Sequence, residues 1–354
     1  MTFYQALQLD PPALKKNIKE AQNKKEKQYF IKALVVRDIL LVVFATVFIS
    51  VLSSLFGSEN SAMAVVIFCM VLSLRFVDFG YKISHSLASL GLCLLILLIS
   101  PIAMQLVAPP VGCMINFISL FALVVMTCEK PEMGNGGLYL FGYVFLSGSM
   151  VTPEVFVQRI YLTIVGYLVC AFVLVLKHRH KHAKTTLWNV ISRYDIHSQK
   201  GQWQLQISLA LSLLFLVGSY LGLNRFMWVG FACSSLLSSY PVNLHERLRD
   251  RAVGAILGSV LFAITYSLTP PSLTSLFGPV SGLCLGLCSQ YRYKTVFNCF
   301  GALLMASSIY GVQDAVLLRI FNNLIGLLFG CAFFYFFQKI LVKRCLGCKQ
   351  LKHC

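Results

Sequence analysis

The stretch RIFNNLIG at residues 319–326 places an arginine and two asparagines at the start of an apolar run that continues to residue 337 as LIGLLFGCAFFYFF. The same pattern occurs earlier in the chain, as RIYLTIVG at residues 159–166. Runs of this kind are long enough to cross the hydrocarbon core of a bilayer, which takes about 20 apolar residues in a helix. The two copies predict a membrane protein built from a repeated unit.

Other short matches extend the repeat to both halves of the chain. Phe141-Gly142 precedes Arg159 much as Phe300-Gly301 precedes Arg319, and Cys170-Ala171-Phe172 matches Cys331-Ala332-Phe333 with a slip of one residue. Further upstream, the pattern Asn-x-x-Met-x-Val occurs at residues 60–65 and at residues 224–229. Repeats with an even number of spans start on the same side of the membrane, and they place a binding site between the halves near the midplane.

The composition supports a membrane fold over a soluble one. Of the 354 residues, 57% are hydrophobic and 12% are charged, whereas soluble domains carry about 25% charged residues. The net charge of +17 does not indicate nucleic-acid binding, because the basic residues cluster between apolar runs. The thirteen cysteines lie mostly singly within those runs, so a disulfide framework is not expected.

Twelve segments are predicted to span the membrane as helices, in two parallel six-helix repeats, which makes the chain an all-α polytopic protein. The segments are residues 35–56, 60–74, 83–101, 111–128, 135–152, 156–177, 204–222, 226–241, 252–269, 275–289, 295–312 and 316–338. The predicted domains are a basic N-terminal segment at 1–34, a first repeat at 35–177, a basic linker at 178–203, a second repeat at 204–340 and a tail at 341–354.

The distribution of lysine and arginine predicts the orientation. If every segment crosses, all thirty of these residues except Arg159, Arg225 and Arg319 fall on one side. Basic residues favour the cytoplasmic side of a membrane protein. Both termini, the linker and the tail are therefore predicted to be cytoplasmic, in a multi-pass protein of the plasma (inner) membrane.

The helix-mouth arginines allow two interpretations. Glu154 precedes Arg159 by five residues, and Asp314 precedes Arg319 by the same spacing, so each acid could form an ion pair that fixes the outer end of its helix. Alternatively, the two arginines face a central path and attract an anion, since a charge within a membrane segment is costly and usually has a function. Asn322 and Asn323 would add hydrogen-bond donors to that substrate path.

The cytoplasmic ends of the helices carry a second candidate site. It consists of Arg75, Asp78 and Lys82 in the first half, and of His245, Arg247, Arg249 and Arg251 in the second. These residues are either ordinary charges of the cytoplasmic side or a vestibule that concentrates an organic anion. We interpret the run KHRHKHAK at 177–184 as a solvated basic face.

No catalytic motif, cofactor site or metal site is predicted. The chain has no phosphate-binding G-x-x-x-x-G-K-[ST], no G-x-S-x-G and no H-E-x-x-H, so an enzyme is not expected. The ending CLGCKQLKHC places Cys345, Cys348, His353 and Cys354 within ten residues, but this spacing is too tight for the usual zinc fingers.

Several stretches resemble the fusaric-acid-resistance-like (FUSC) family of integral membrane proteins. They are RDRAVGAILGSVLF at 249–262, NRFMWVG at 224–230, TVFNCFGAL at 295–303 and residues 56–87. The resemblance implies a doubled six-helix membrane domain that exports aromatic carboxylic acids. The membrane part of the plant aluminium-activated malate transporters, which are anion channels, is similar. The chain departs from the larger exporters in having only a short linker in place of a substantial cytoplasmic domain.

The expected function is therefore secondary export of small organic anions. The expected partners are the lipid bilayer and the anion, and a homo-oligomer is compatible with the sequence. Glu154 and Asp314 would form ion pairs with Arg159 and Arg319. Asp78 is predicted to carry a coupled proton. A passive anion channel is one alternative. A non-transporting scaffold that binds a partner or anionic lipid through its basic segments is another.

Overall fold

The structure, a computed structural model, describes residues 1–149, 151–240 and 243–340. Every regular element in this part of the chain is helical. The α-helices are α1 (Phe3–Leu7), α2 (Pro11–Glu20), α3 (Lys24–Phe56), α4 (Ser61–Leu74), α5 (Ile83–Ala103), α6 (Pro109–Thr127), α7 (Asn135–Ser147), α8 (Pro153–His178), α9 (Leu187–Ser192), α10 (Gln199–Leu221), α11 (Met227–Leu237), α12 (Leu244–Leu268), α13 (Phe277–Leu287), α14 (Tyr291–Tyr310) and α15 (Val312–Phe336). Each of the twelve predicted segments overlaps one of these helices, and α1, α2 and α9 are additional.

Seven helices in the described ranges are long and apolar enough to cross a bilayer, namely α3, α5, α6, α8, α10, α12 and α15. Four of the other predicted spans are shorter: α4 has 14 residues, α7 has 13, and α11 and α13 have 11 each. At 1.5 Å per residue, an 11-residue helix extends only about 16 Å. Such short helices are tolerated at membrane depth where protein or water, rather than lipid, surrounds their ends.

The chain forms two compact units, which we call unit 1 (residues 1–48 and 246–321) and unit 2 (residues 49–245 and 322–354). In unit 2, α7 contacts α4, α5, α6 and α11, while α10 packs along α6. Helices of both predicted repeats therefore share one packing unit. The division into repeats describes the sequence and does not coincide with the compact units.

The repeat is visible in the packing of unit 2. Gly166 of α8 lies against the Ile67 side chain of α4, where any Cβ on the glycine would overlap it. In the second half, Gly326 of α15 lies in the same way against the Val229 carbonyl and Ala232 of α11. In both halves a glycine seven residues after the repeated arginine thus lets the last helix approach the second one closely.

In unit 1, the N-terminal helices fold back onto the beginning of α3. Leu14 of α2 and Ala6 of α1 are buried with Phe30, Ala33 and Leu34 of α3. Asp10 caps α2 by accepting a hydrogen bond from the Ala13 amide at 3.0 Å, and Pro11 occupies the first helical position. Elsewhere in this unit, α13 packs on α14, and α12 contacts α14 through Gly254 and Gly258.

Candidate functional site

Arg159, predicted to line a substrate path, is enclosed by neutral hydrogen-bond acceptors in unit 2. Its side chain is 1% exposed. The Nε atom donates to Asn60 Oδ1 at 2.9 Å, while the two terminal nitrogens donate to the Ser149 carbonyl at 3.2 Å and to Ser149 Oγ at 2.9 Å. Asn60 in turn donates to the Phe56 and Val155 carbonyls. The guanidinium therefore ties the start of α8 to the α3–α4 connection and to the end of α7.

The predicted ion pairs of the repeated arginines are wrong. Glu154 and Asp314 are both exposed, whereas Arg159 and Arg319 are buried. No ion pair joins either acid to its arginine within the described residues. Residues five apart in an α-helix point about 140° away from each other, whereas residues three or four apart share a face. The spacing of five thus separates each acid from its arginine.

Arg319 is associated in unit 1 with a second buried arginine. Arg319 is 5% exposed and Arg251, at the start of α12, is 7% exposed. The two positive charges lie close enough to act on each other, and Arg319 also faces Cys299 of α14. The sequence assigned Arg251 to the cytoplasmic vestibule and Arg319 to the substrate path. The structure brings these two predicted sites together.

Asn322 also has a role that the sequence did not predict. Its side-chain amide, buried in α15, donates to the backbone carbonyls of Asn224 at 2.9 Å and Arg225 at 3.3 Å. Asn60 and Asn224 are equivalent in the repeat. In the first half the last helix supplies an arginine to this connection, and in the second half it supplies an asparagine. Asn323 is buried on the same helix turn.

The connection held by Asn322 borders a cavity of about 560 Å³ in unit 2. The cavity occupies the space beyond the last residue of α7, Ser147, and the first residue of α11, Met227. Because both helices are short, this end of unit 2 is left open between the longer helices α5, α6 and α10. The sequence does not predict a cavity here, because the apolar segment assigned to α7 continues to residue 152, five residues past the end of the helix.

The lining of this cavity combines one positive charge with apolar walls. Among the lining residues that the structure describes, Arg225 alone carries a formal charge. Its backbone has a φ of 53°, which is unusual for a residue other than glycine. The walls include Phe226, whose ring packs on Phe215 with centroids 5.8 Å apart. Further polar, thiol and thioether groups line the cavity, from Asn116, Gln105, Ser219, Cys113, Met104 and Met227.

Two of the polar lining groups have fixed orientations. Asn116 Oδ1 accepts a hydrogen bond from the Tyr143 hydroxyl at 2.7 Å. The Gln105 amide donates to the Pro101 carbonyl at 2.9 Å and to the Ser147 carbonyl at 3.0 Å, which joins the ends of α5 and α7. The cavity is therefore bordered by groups held in place by the fold. Of the sequence features, only the position of Arg225 on the side opposite to most basic residues pointed here.

The first-half part of the predicted vestibule forms a different cluster from the expected one. Asp78 lies 3.5 Å from His178 Nδ1, 3.7 Å from Lys181 Nζ and 3.2 Å from His182 Nε2. His178 is buried, and its other ring nitrogen lies 2.8 Å from the Leu74 carbonyl. The interpretation of residues 177–184 as a solvated basic face is therefore wrong for His178 and His182, which lie against Asp78, whereas the other six residues of the run are exposed.

The remaining vestibule residues are distributed around this cluster and around Asp250. The Arg75 guanidinium lies 5.3 Å from the centroid of the Phe76 ring, and the Lys82 backbone amide donates to the Thr185 carbonyl. In unit 1, Asp250 accepts hydrogen bonds from Arg292 at 3.1 and 2.9 Å and lies 3.7 Å from Arg249.

Arg247 lies over the Tyr291 ring at 4.5 Å, and His245 is exposed. Arg75 and Arg247 thus contact aromatic rings at the helix ends, and Arg249 lies beside Asp250. The cysteines and histidine of the tail, residues 345–354, lie outside the described residues.

Comparison with known families supports the resemblance seen in the sequence. Residues 210–333, about a third of the chain, match the family described as fusaric acid resistance protein-like. The matched region contains α11 to α14, most of α10 and α15, and with them Arg225, Arg251, Arg319 and Asn322. No curated protein and no solved structure matches the chain.

Proposed function

We propose, from the membership of residues 210–333 in the fusaric acid resistance protein-like family, that this protein is a membrane transporter exporting small organic anions, chiefly aromatic carboxylates. The family match and the seven bilayer-length helices support membrane transport. The observation that carries the choice of substrate is the cavity of about 560 Å³ with Arg225 as its charged lining residue.

The cavity suits an aromatic carboxylate in size and chemistry. Small-molecule sites in proteins typically measure about 300–1,000 Å³ and combine apolar walls with a few polar groups. The guanidinium of Arg225 would bind the carboxylate, since arginine pairs with carboxylates through two parallel hydrogen bonds. Phe215 and Phe226 would contact the ring. Asn322 would position Arg225 through the two backbone hydrogen bonds described above.

The orientation follows from the positive-inside distribution. With twelve crossings and cytoplasmic termini, the Arg225 cavity opens away from the cytoplasm of the plasma (inner) membrane, and the arginines of α12 face inward. In unit 1, Arg247 and Arg249 would then attract anions to the cytoplasmic surface, and the buried Arg251 and Arg319 would add positive charge within the same unit. We propose that a gradient drives the export, since the sequence has no ATP-binding motif.

The test is export of aromatic carboxylates from proteoliposomes that contain the purified full chain. We expect Arg225→Gln to raise the concentration needed for half-maximal export by about 10- to 100-fold, since a hydrogen bond to a charged group contributes about 1.5–3 kcal/mol. Arg225→Lys should keep part of the activity, and a neutral alcohol of the same ring size should not be exported. Asn322→Leu should weaken binding in the same direction as Arg225→Gln.

Three results would contradict the proposal in different ways. Unchanged export by Arg225→Gln would remove the cavity from the path. Anion conductance that needs no ion gradient would favour the channel alternative. If no acid moves although the folded protein is present, the scaffold alternative gains support. The liposomes would then be tested for binding of anionic lipid to the basic segments.

A further inference from the structure

Asp38 is an acidic residue placed within an apolar membrane segment. It lies six residues after the exposed Lys32 on α3, or about 9 Å further along the helix. Beyond this level the exposed side chains of α3 are apolar, beginning with Ile39, Leu40 and Val43. Asp38 itself is 3% exposed. Acids in such positions are rare in membrane helices and usually mark ion or proton sites.

The carboxylate faces Gly286, the last of three glycines on α13. Gly278, Gly282 and Gly286 recur every four residues and lie on one face of that helix. Asp38 Oδ1 occupies the place where a Cβ on Gly286 would stand, and Val42, one turn further along α3, packs on Gly282. Any larger residue at position 286 would displace the carboxyl group. The α3–α13 contact is thus shaped to enclose it.

The enclosed carboxyl group has no hydrogen-bond or ion-pair partner in residues 1–149, 151–240 and 243–340. Arg37, the next residue on α3, lies about 100° further around the helix and acts on Asp38 through its charge, without an ion pair between the two side chains. The titratable groups on the elements around this contact are Lys15 of α2, Cys284 and Cys288 at the end of α13, and Lys294 of α14. A buried charge without a close partner is strongly disfavoured, so the protonated carboxylic acid is the form that suits this site.

We infer that Asp38 is a proton-binding site, and, resting on the proposed function, that its protonation couples anion export to the proton gradient. The carboxylate takes up one proton from water and becomes a neutral acid enclosed between α3 and α13. It releases the same proton and becomes charged when the contact with Gly286 opens to water. The charged form cannot remain enclosed, so each protonation change favours a different packing of α3 on α13. This assigns the coupling to Asp38 rather than to Asp78, whose carboxylate is held by two histidines and a lysine.

The proton site is tested by chemical labelling of the full chain in liposomes. Dicyclohexylcarbodiimide, an apolar reagent, modifies protonated carboxyl groups in apolar surroundings, and peptide mass spectrometry locates the product. We expect labelling at Asp38 that declines as the pH rises and is lost in Asp38→Asn, with the exposed Asp314 unlabelled. A water-soluble carbodiimide should show the opposite preference. Absence of label at Asp38 in acidic buffer would overturn the inference, and this readout holds whether or not the protein exports an anion.

The coupling is tested by uphill export with and without a protonophore, with the membrane voltage held at zero by valinomycin and equal potassium on both sides, because electrogenic export responds to voltage in every variant. The wild type should lose accumulation when the protonophore is added. Asp38→Asn should move the anion only down its own gradient, with no response to the protonophore. Accumulation by Asp38→Asn that the protonophore still abolishes would overturn the coupling. Asp38→Glu at matched abundance checks that loss of coupling does not reflect misfolding, since it keeps a titratable group. If the wild type exports nothing, the proposed function fails and labelling alone decides the proton site.

Discussion

Arg159→Met is expected to destabilise the protein rather than to change its substrate binding. Methionine fills much of the same volume but removes the three hydrogen bonds to Asn60 and Ser149. Asn60 Oδ1 and the two Ser149 oxygens would lose these donors at a buried site. Each orphaned group costs about 1–3 kcal/mol, so we expect a loss of roughly 3–9 kcal/mol for the three oxygens, with the part-buried Ser149 oxygens toward the lower end of their range. That is a large part of the typical 5–15 kcal/mol of folding stability.

The assay is thermal unfolding of the purified protein in detergent, followed by tryptophan fluorescence and by size-exclusion chromatography. Arg225→Met is the matched control. Arg225 lies in the connection between α10 and α11, which is equivalent in the repeat to the α3–α4 connection that Arg159 contacts, and its side chain is only half-buried. We expect Arg225→Met to unfold near the wild-type temperature while losing export. A double change with Asn60→Ala should cost less than the sum of the single changes, because both remove the same bond.

The opposite pattern would refute this reasoning. If Arg159→Met is as abundant and as thermally stable as the wild type, its hydrogen bonds contribute little to the fold. If such a stable variant also loses anion export, Arg159 belongs to the substrate path, as the second interpretation of the sequence proposes.

Two further predictions concern the helix contacts. Gly326→Leu, like Gly166→Leu, should prevent accumulation of folded protein in membranes. Gly301→Ala is the control: no atom lies within 4 Å of the added Cβ, so this change should be neutral or stabilising by up to about 1 kcal/mol. Equal abundance of Gly326→Leu and wild type would contradict the close packing. Asp78→Asn should lower stability by about 1 kcal/mol in low salt, because it removes the negative charge beside Lys181, and less in high salt. A loss independent of salt would show that the charge is not the cause.

The sequence was sufficient to predict the helices, because apolar runs separated by polar turns are a strong signal. It overestimated the lengths of α7, α11 and α13, whereas most of the other helices extend beyond their predicted segments. The apolar run after Asn135 continues past Ser147, where α7 ends, since hydropathy does not distinguish a helix from an apolar connection. The pairing of the halves was also recognisable, since Arg159 and Arg319 each precede a glycine by seven residues. Their positions in the repeat could be predicted, but their partners could not.

Partners depend on helix rotation and on distant residues, which a single sequence does not report. Arg159 meets Asn60 from 99 residues away, and Asn322 meets Asn224 from 98 residues away. Glu154 was a natural choice for Arg159 by proximity in sequence, but helical geometry turns it to another face. Asp38 was not predicted as a site, because Gly286, which lies against its carboxyl group, is about 250 residues further along the chain.

The short helices of unit 2 also affect how the transmembrane voltage is distributed. α4, α7 and α11 lie side by side and, with 11 to 14 residues, extend only about 16–21 Å, against about 30 Å for the hydrocarbon core. Where water enters beyond their ends, the transmembrane voltage drops across this shorter distance, and the electric field there is correspondingly stronger. A monovalent anion that crosses there is driven outward by an interior-negative potential with about 2.3 kcal/mol per 100 mV. Its export would therefore be electrogenic, and the rate would follow the membrane voltage.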